Sequence, residues 1–511
     1  MSLDEKTERM GDIEPSYIPV QAQEGSAPVK YLFKVVPVNP NVGYLNVLAL
    51  ILGVFATIAL LVFQSIIQSS IIITNLGVSV TEQGNVVGSL TMYQEIIVIF
   101  MCIFWGPISD LTGKRYVYAI SFFCLGTALI AYPHARNVYP DLLLIRLLFG
   151  MGSSGATTMM TATLGDIIVK SGGFISGFIG ATSGCGALLG VFVLSSVPAL
   201  LANSTPDYFT AVNKGFHIIG GSAIALGVIL WFMLPSHTDV WEGPDRWLWR
   251  KLNNKFSSGV KQEKKSLKVN RPKRENYFLL LKKGFMAAKD PRVALGYATS
   301  FVARSDEVML TTFVTMWVSK VFYLSGRCKS PDKLFCPVGQ GQSELMTGTG
   351  QIVALLVAPF YGWAHHYFRR STVTFVGGVF GVIGCFGLAF NHDPYNKINY
   401  FWITLIGCGE IGMIISSMSL VNGPYVPPGR RGSIAGAYSF CGSISILVIT
   451  KLGGYLFDTW MAGAPFFILG VCHCCVTVAS FILRFIEPRL PDTWVNPEEK
   501  HELETHTVQL E

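Results

Sequence analysis

Charge is scarce in this chain. Only 14% of its residues are Asp, Glu, Lys or Arg while 50% are hydrophobic, a balance that excludes an ordinary soluble protein of this length. Catalytic signatures are missing too. No glycine-rich loop ends in Gly-Lys-Ser/Thr, so ATP-driven transport has no support. Neither a G-x-S-x-G nucleophile elbow nor a His-Glu-x-x-His zinc motif is present. Nine cysteines (Cys102, Cys124, Cys185, Cys385, Cys408, Cys441, Cys472, Cys474 and Cys475) lie in apolar stretches and read as small packing residues. His473 sits among three of them, but no second cluster accompanies it, so no metal ligand set is expected. The expectation is no enzyme, no cofactor and no metal.

Apolar length is what the chain has in abundance. Twelve stretches stand out: 44–66, 86–105, 116–132, 141–163, 173–194, 215–235, 293–322, 344–364, 372–390, 398–420, 433–456 and 464–484. A run of roughly 20 apolar residues crosses a bilayer as a helix. Backbone polar groups cannot stay unpaired in lipid, and these runs do not alternate, so helices are expected rather than barrel strands. The first 43 residues are polar and lack a signal-peptide core, so span 1 reads as an uncleaved anchor. The chain divides into a tail (1–43), six spans (44–235), a basic central segment (236–291), six more spans (292–486) and a second tail (487–511).

Positive charge sets the expected orientation. Lys6, Arg9, Lys30 and Lys34, then Lys114 with Arg115, Arg369 with Arg370, and Arg430 with Arg431 all fall on one side of a twelve-span topology. The densest cluster, between Trp247 and Lys289, joins them, and the positive-inside rule makes that side cytoplasmic, with both termini. The net charge of +7 is therefore a topology signal rather than a sign of nucleic-acid binding. Contact of the central segment with anionic lipid stays open. Asn203-Ser204-Thr205 then lies outside the cytoplasm as a glycosylation acceptor. Cys328 and Cys336 lie outside as well, where a disulfide is allowed. The membrane expected is the plasma membrane or an endosomal or lysosomal one.

Between spans 2 and 3 stands Gly106-Pro107-Ile108-Ser109-Asp110-Leu111-Thr112-Gly113-Lys114-Arg115. Its aspartate suits a cap on the next helix and a partner for the basic pair, while its glycines let two helices approach. This G-x-x-x-D-x-x-G-[KR]-R pattern resembles the loop between helices 2 and 3 of major facilitator superfamily transporters. A degraded copy follows span 8, with Gly362 aligned to Gly106 and His366 in place of the aspartate. Arg146-Leu147-Leu148-Phe149-Gly150-Met151-Gly152 is similar to the R-x-x-x-G-x-G pattern of helix 4 in proton-coupled members. Gly177, Gly180, Gly184, Gly186 and Gly190 in span 5 resemble the glycine-rich helix 5 of drug/proton antiporters, with Gly184-Cys185 where that pattern has Gly-Pro.

The resemblance implies an all-α polytopic membrane protein: twelve transmembrane helices in two pseudo-symmetric six-helix bundles around a central site. It also implies a cytoplasmic gate built from Gly106, Asp110, Gly113, Lys114, Arg115 and Asp166, the last facing Lys170. A small-molecule substrate, protons and the bilayer are the expected partners, with function as a monomer.

Charges inside spans are costly, about 2.5–3.5 kcal/mol each on insertion scales, so each is a candidate functional group. They are Glu95 in span 2, Arg146 in span 4, Arg304, Asp306 and Glu307 in span 7, and Glu410 in span 10. Arg304 and Glu307 share a helix face and suit an ion pair; Asp306 points elsewhere and needs another partner. A structural pair and a proton or anion pathway both fit span 7. Gln64 and Gln68 suit a cavity wall or an interface, and Lys451 the outer interface. The reading is proton-coupled transport of a small organic solute, cationic or zwitterionic by the surplus of acids. A facilitative carrier of a sugar or organic anion, or a non-transporting sensor or trafficking protein using Tyr17-Ile18-Pro19-Val20, stays open.

Overall fold

A computed structural model describes residues 30–32, 36–38, 44–167, 173–202, 208–234, 282, 284–327, 337–423, 425–426 and 431–490. Helix dominates. The first half contains α1 (Tyr44–Thr74), α2 (Gln83–Thr112), α3 (Lys114–Ala131), α4 (Leu143–Ile167), α5 (Gly173–Leu188, extended by a π turn at Leu189–Leu194) and α6 (Tyr208–Met233). The second half contains α7, which runs Pro291–Val308, through a π turn at Met309–Phe313, into Val314–Leu324. Then come α8 (Pro337–Tyr367), α9 (Arg370–Ala389), α10 (Ile398–Val421), α11 (Arg431–Thr459) and α12 (Ala464–Ile486). One small hairpin, β1 (Lys30–Leu32) with β2 (Val36–Val38), pairs Tyr31 with Pro37.

Among the described residues, ten helices are long and apolar enough to cross a membrane. The other two of the expected twelve, α5 and α7, are each interrupted by a π turn, and α7 carries Arg292, Arg304, Asp306 and Glu307 before its turn.

Several boundaries differ from those read in the sequence: α6 and α8 each begin seven residues earlier, and the ends of α1 and α2 move for physical reasons. α1 does not stop at 66 but reaches Thr74, because Gln64, Gln68 and Ser69 turn inward and find partners there. α2 does not stop at 105 either: it runs through Gly106 and Asp110 to Thr112, so most of the expected loop is helix. The whole connection to α3 is Gly113, whose φ of 97° lies where side chains with a Cβ are strained. Its N–H donates to Ser109 O at 2.9 Å. Gly113 itself occupies the position that precedes α3.

Within the first half, α3 packs on α4 and α6, α2 on α4, and α1 on α4 and α5. In the second, α9 packs on α10 and α12, α8 on α10, and α7 on α10, α11 and α12. Across the halves, the extensive contacts are α2 with α11 and α5 with α8. Advancing helix numbers by six turns the first pair into the second, as a repeat of six helices requires. Near the ends of α7 and α10, Arg292 lies 3.6 Å over the Tyr425 ring, and burial there pushes the Tyr425 phenol up to about 12.

Asn203, Cys328, Cys336, Lys170 and 235–281 lie outside the described residues, as do the side chains of Asp110, Asp166 and His366.

Candidate functional site

Arg146 on α4 is 1% exposed, so its charge must be met from inside the bundle. Nη1 donates to Gln68 Oε1 on α1 at 2.8 Å, and Nη2 to Thr91 Oγ1 on α2 at 3.0 Å. One turn along α2 from Thr91, on the same face, is Glu95, buried at 8% exposure. Two cations act on its charge: Arg304 of α7 and, less strongly, Arg146. The Gln68 amide reaches on to Thr312 Oγ1 in the α7 π turn at 3.4 Å. Residues from α1, α2, α4 and α7 thus form one polar group that crosses between the halves.

The pair expected between Arg304 and Glu307 is absent. No ion pair within 4.0 Å joins them, although both are described. Arg304 instead lies over Gly442 of α11, where a Cβ would sit 2.6 Å from its Cγ, and its charge acts on Glu95 across the halves. Asp306 does have another partner, one that the sequence reading left open. Its Oδ1 lies 2.9 Å from His473 Nε2 on α12, with both side chains fully buried. Cys385 of α9 completes the group, its Sγ and the other two donor atoms all lying within 4.8 Å of one another. Two residues turn a helix by about 200°, which is why Asp306 faces α9 and α12 while Arg304 faces α11.

Glu410 on α10 is 3% exposed and has an unpaired Oε2, with Gln351 of α8 beside it and the charges of Asp306 and Glu307 acting on it. Its flanking glycines make the close contacts expected of them: a Cβ on Gly409 would lie 2.7 Å from Gly381 Cα.

Hydrogen bonds between the halves gather toward one end of the bundle, where α2 and α8 begin and α5 and α11 finish. Asp458 on α11 accepts the Gly84 N–H at 3.1 Å and the Asn85 N–H at 2.6 Å, so it caps α2 from another helix. Two turns earlier on α11, Lys451 Nζ donates to Asn85 Oδ1 at 2.7 Å and Ser89 Oγ at 2.6 Å. Only glycine fits between them: a Cβ on Gly454 would lie 2.1 Å from Gly84 O. On the other seam, Glu344 of α8 accepts from Ser195 Oγ at 2.7 Å and Ser196 Oγ at 3.3 Å, just past α5. Gln340 Nε2 donates to Ser195 O at 2.8 Å.

At the opposite end, Arg115 is buried and its Nη2 donates to Tyr116 Oη at 3.0 Å. Asp166 falls in the last turn of α4 and Gly106 in the last two turns of α2.

Comparison with known proteins agrees with this architecture. A sequence profile of the Major Facilitator Superfamily matches residues 49–450, with a second, overlapping match over 296–507. The chain belongs to the Major Facilitator Superfamily. A single-residue variant of the nucleoside transporter NupG superposes with a TM-score of 0.60 at 15% identity, covering 85% of this chain and 98% of that one. A D-xylose-proton symporter superposes at 0.57 with 14% identity, covering 88% and 97%. At these identities the likeness is one of fold. Among curated sequences, magnetosome protein MamH of Paramagnetospirillum magneticum is 28% identical over 208 residues, 40% of this chain and 45% of the relative. Magnetosome protein MamZ of Magnetospirillum gryphiswaldense is 24% identical over 197 residues, 38% and 29% respectively. The chain thus spans less than half the length of these relatives.

Membership in the Major Facilitator Superfamily, with ten helices long and apolar enough to cross a membrane among the described residues, makes this a multi-pass membrane protein. Sequence reading found Glu95, Arg146 and Asp306 because a charge in an apolar run is visible locally. It missed Cys385 and His473 as partners of Asp306, and Asp458 and Glu344 as ties between the halves. A signal for the last two did exist: each is an acid near the end of an apolar run, on the side where the loops are short of positive charge.

Proposed function

We propose that this protein carries a small, polar organic solute, zwitterionic or cationic, across the membrane in exchange for or together with protons, by rocking its halves about Glu95, Arg146 and Arg304. The observation that supports this is the polar group of α1, α2, α4 and α7 that crosses the halves: Arg146 held by Gln68 and Thr91, Gln68 reaching Thr312, and Glu95 buried one turn from Thr91. Two opposite charges at mid-depth suit a solute that carries both signs. Arg304, half-buried and without an ion-pair partner among the described residues, offers its guanidinium to an anionic group. Glu95 faces the cationic group or holds the coupling proton.

The seams tied by Asp458, Lys451 and Glu344 correspond to a conformation closed at that end. With positive charge inside, that end faces away from the cytoplasm, and the solute site opens toward the cytoplasmic Gly113 turn. In the opposite conformation, Gly106, Asp110, Gly113, Lys114, Arg115 and Asp166 close the cytoplasmic side.

The test uses proteoliposomes with an imposed pH gradient and a panel of labelled amino acids, nucleosides and D-xylose. Wild type should concentrate at least one probe when the gradient is applied. Glu95→Gln should lose that accumulation while keeping counterflow exchange of the same probe. Uptake that ignores the gradient in both proteins would favour a facilitative carrier. No flux of any probe, together with capture of a cytosolic partner, would favour the sensor reading.

A further inference from the structure

The group formed by Asp306, Cys385 and His473 sits between α7, α9 and α12, and a simple Asp–His pair does not account for it. Their one hydrogen bond uses Asp306 Oδ1 and His473 Nε2. Asp306 Oδ2 and His473 Nδ1 are left buried with no partner, and both side chains are 0% exposed. Unpaired buried polar atoms are rare in folded proteins and call for an occupant. A third donor, Cys385 Sγ, approaches from α9, within 4.8 Å of the other two. Gly381, one turn before Cys385, leaves the space the imidazole fills: a Cβ there would lie 2.3 Å from Nδ1.

We propose that Asp306, Cys385 and His473 bind one divalent transition-metal ion of the zinc class. The donor set decides the class. One sulfur, one imidazole nitrogen and one carboxylate oxygen match zinc or cobalt, whereas magnesium and calcium take oxygen alone. Bonds of about 2.0–2.3 Å from a tetrahedral ion put neighbouring donors roughly 3.3–3.8 Å apart. Small side-chain rotations reach that from the spacing present, opening the Asp306–His473 contact and drawing Cys385 inward. Cys385 binds as thiolate and releases its proton to solvent, and His473 binds as neutral imidazole with its one N–H on the other ring nitrogen. Three protein ligands leave a fourth position for water. Three helices of the second half are then joined at one point, so the ion braces that half as a unit.

Cys472, Cys474 and Cys475 flank His473 in sequence, but Cys474 and Cys475 are exposed on α12. They serve as internal controls.

The experiment titrates untagged, full-length, chelator-treated protein in detergent with Co2+. One equivalent should produce the visible bands of a tetrahedral ion together with a thiolate-to-cobalt absorption in the near ultraviolet, and Zn2+ should abolish both. Millimolar Mg2+ should leave them unchanged. Cys385→Ser should remove the near-ultraviolet absorption and weaken Zn2+ competition at least tenfold, with folding checked by gel filtration. His473→Gln should do the same, while Cys474→Ser and Cys475→Ser keep the wild-type spectrum. Absence of the thiolate absorption in wild type, or its survival in Cys385→Ser with loss in Cys474→Ser, would overturn the assignment.

Discussion

Replacing Asp458 by Asn tests whether the α2–α11 seam is held by that carboxylate. Asp458 accepts two backbone N–H groups from the first turn of α2, at 3.1 and 2.6 Å. Hydrogen bonds to a charged group contribute about 1.5–3 kcal/mol each in buried settings, and a negative charge at a helix N-terminus adds about 0.3–1 kcal/mol. Asp458 is half-buried, so water lowers these values, and Asn keeps a carbonyl acceptor for one of the two donors. A loss of about 1.5 kcal/mol from the closed arrangement remains, equivalent to roughly a tenfold change in the ratio of closed to open forms. Nothing is lost from the open form, where the contact does not exist. The assay places a single cysteine at Thr450, which is 1% exposed on α11 and whose carbonyl abuts Gly88 of α2. Exposed Cys185, Cys474 and Cys475, together with Cys328 and Cys336, are replaced by Ser beforehand. A membrane-impermeant maleimide should modify Thr450→Cys about ten times faster with Asp458→Asn than without it. An unchanged rate in a variant that melts at the wild-type temperature would mean that the cap does not bias the seam.

Two further outcomes follow from packing. Arg146→Lys keeps the charge, but a point ammonium cannot reach Gln68 and Thr91 in the geometry of the guanidinium fork; the expected result is a loss of about 2–4 kcal/mol of stability, read as a lower melting temperature, and solute affinity reduced at least tenfold. Gly409→Val would drive its side chain against Gly381 Cα, 2.7 Å from the Cβ position, so α9 and α10 must separate; the yield of monodisperse protein on gel filtration should fall severalfold, and a normal yield would contradict the packing described.

Hydropathy is a local property: it finds the middle of each helix but not its ends. Glu95 and Arg146 were legible for the same reason: a charge inside an apolar run needs no partner to be noticed. What a single sequence does not carry is the rotational phase of one helix against another. Asp306 needs a partner other than Arg304, and the one it has, His473, is 167 positions away, so its identity is set by helix packing alone. Lys451 shows the same limit. Its position near a helix end favours a free interfacial side chain, yet α2 sits close enough to take it through Asn85 and Ser89. The end of α1 was misplaced because Gln64 and Gln68 lower hydropathy regardless of whether they meet lipid or an arginine.

The one-residue joint at Gly113 turns α2 into a lever. At 30 residues it is about 45 Å long, with Asp458 holding its far tip and Gly113 coupling its near tip to α3. Any tilt that frees the tip from α11 must swing the other end the opposite way, and α3 has no slack with which to stay behind. Opening on one face of the membrane and closing on the other are then one rigid-body stroke, so a clamp at either end of α2 should arrest both.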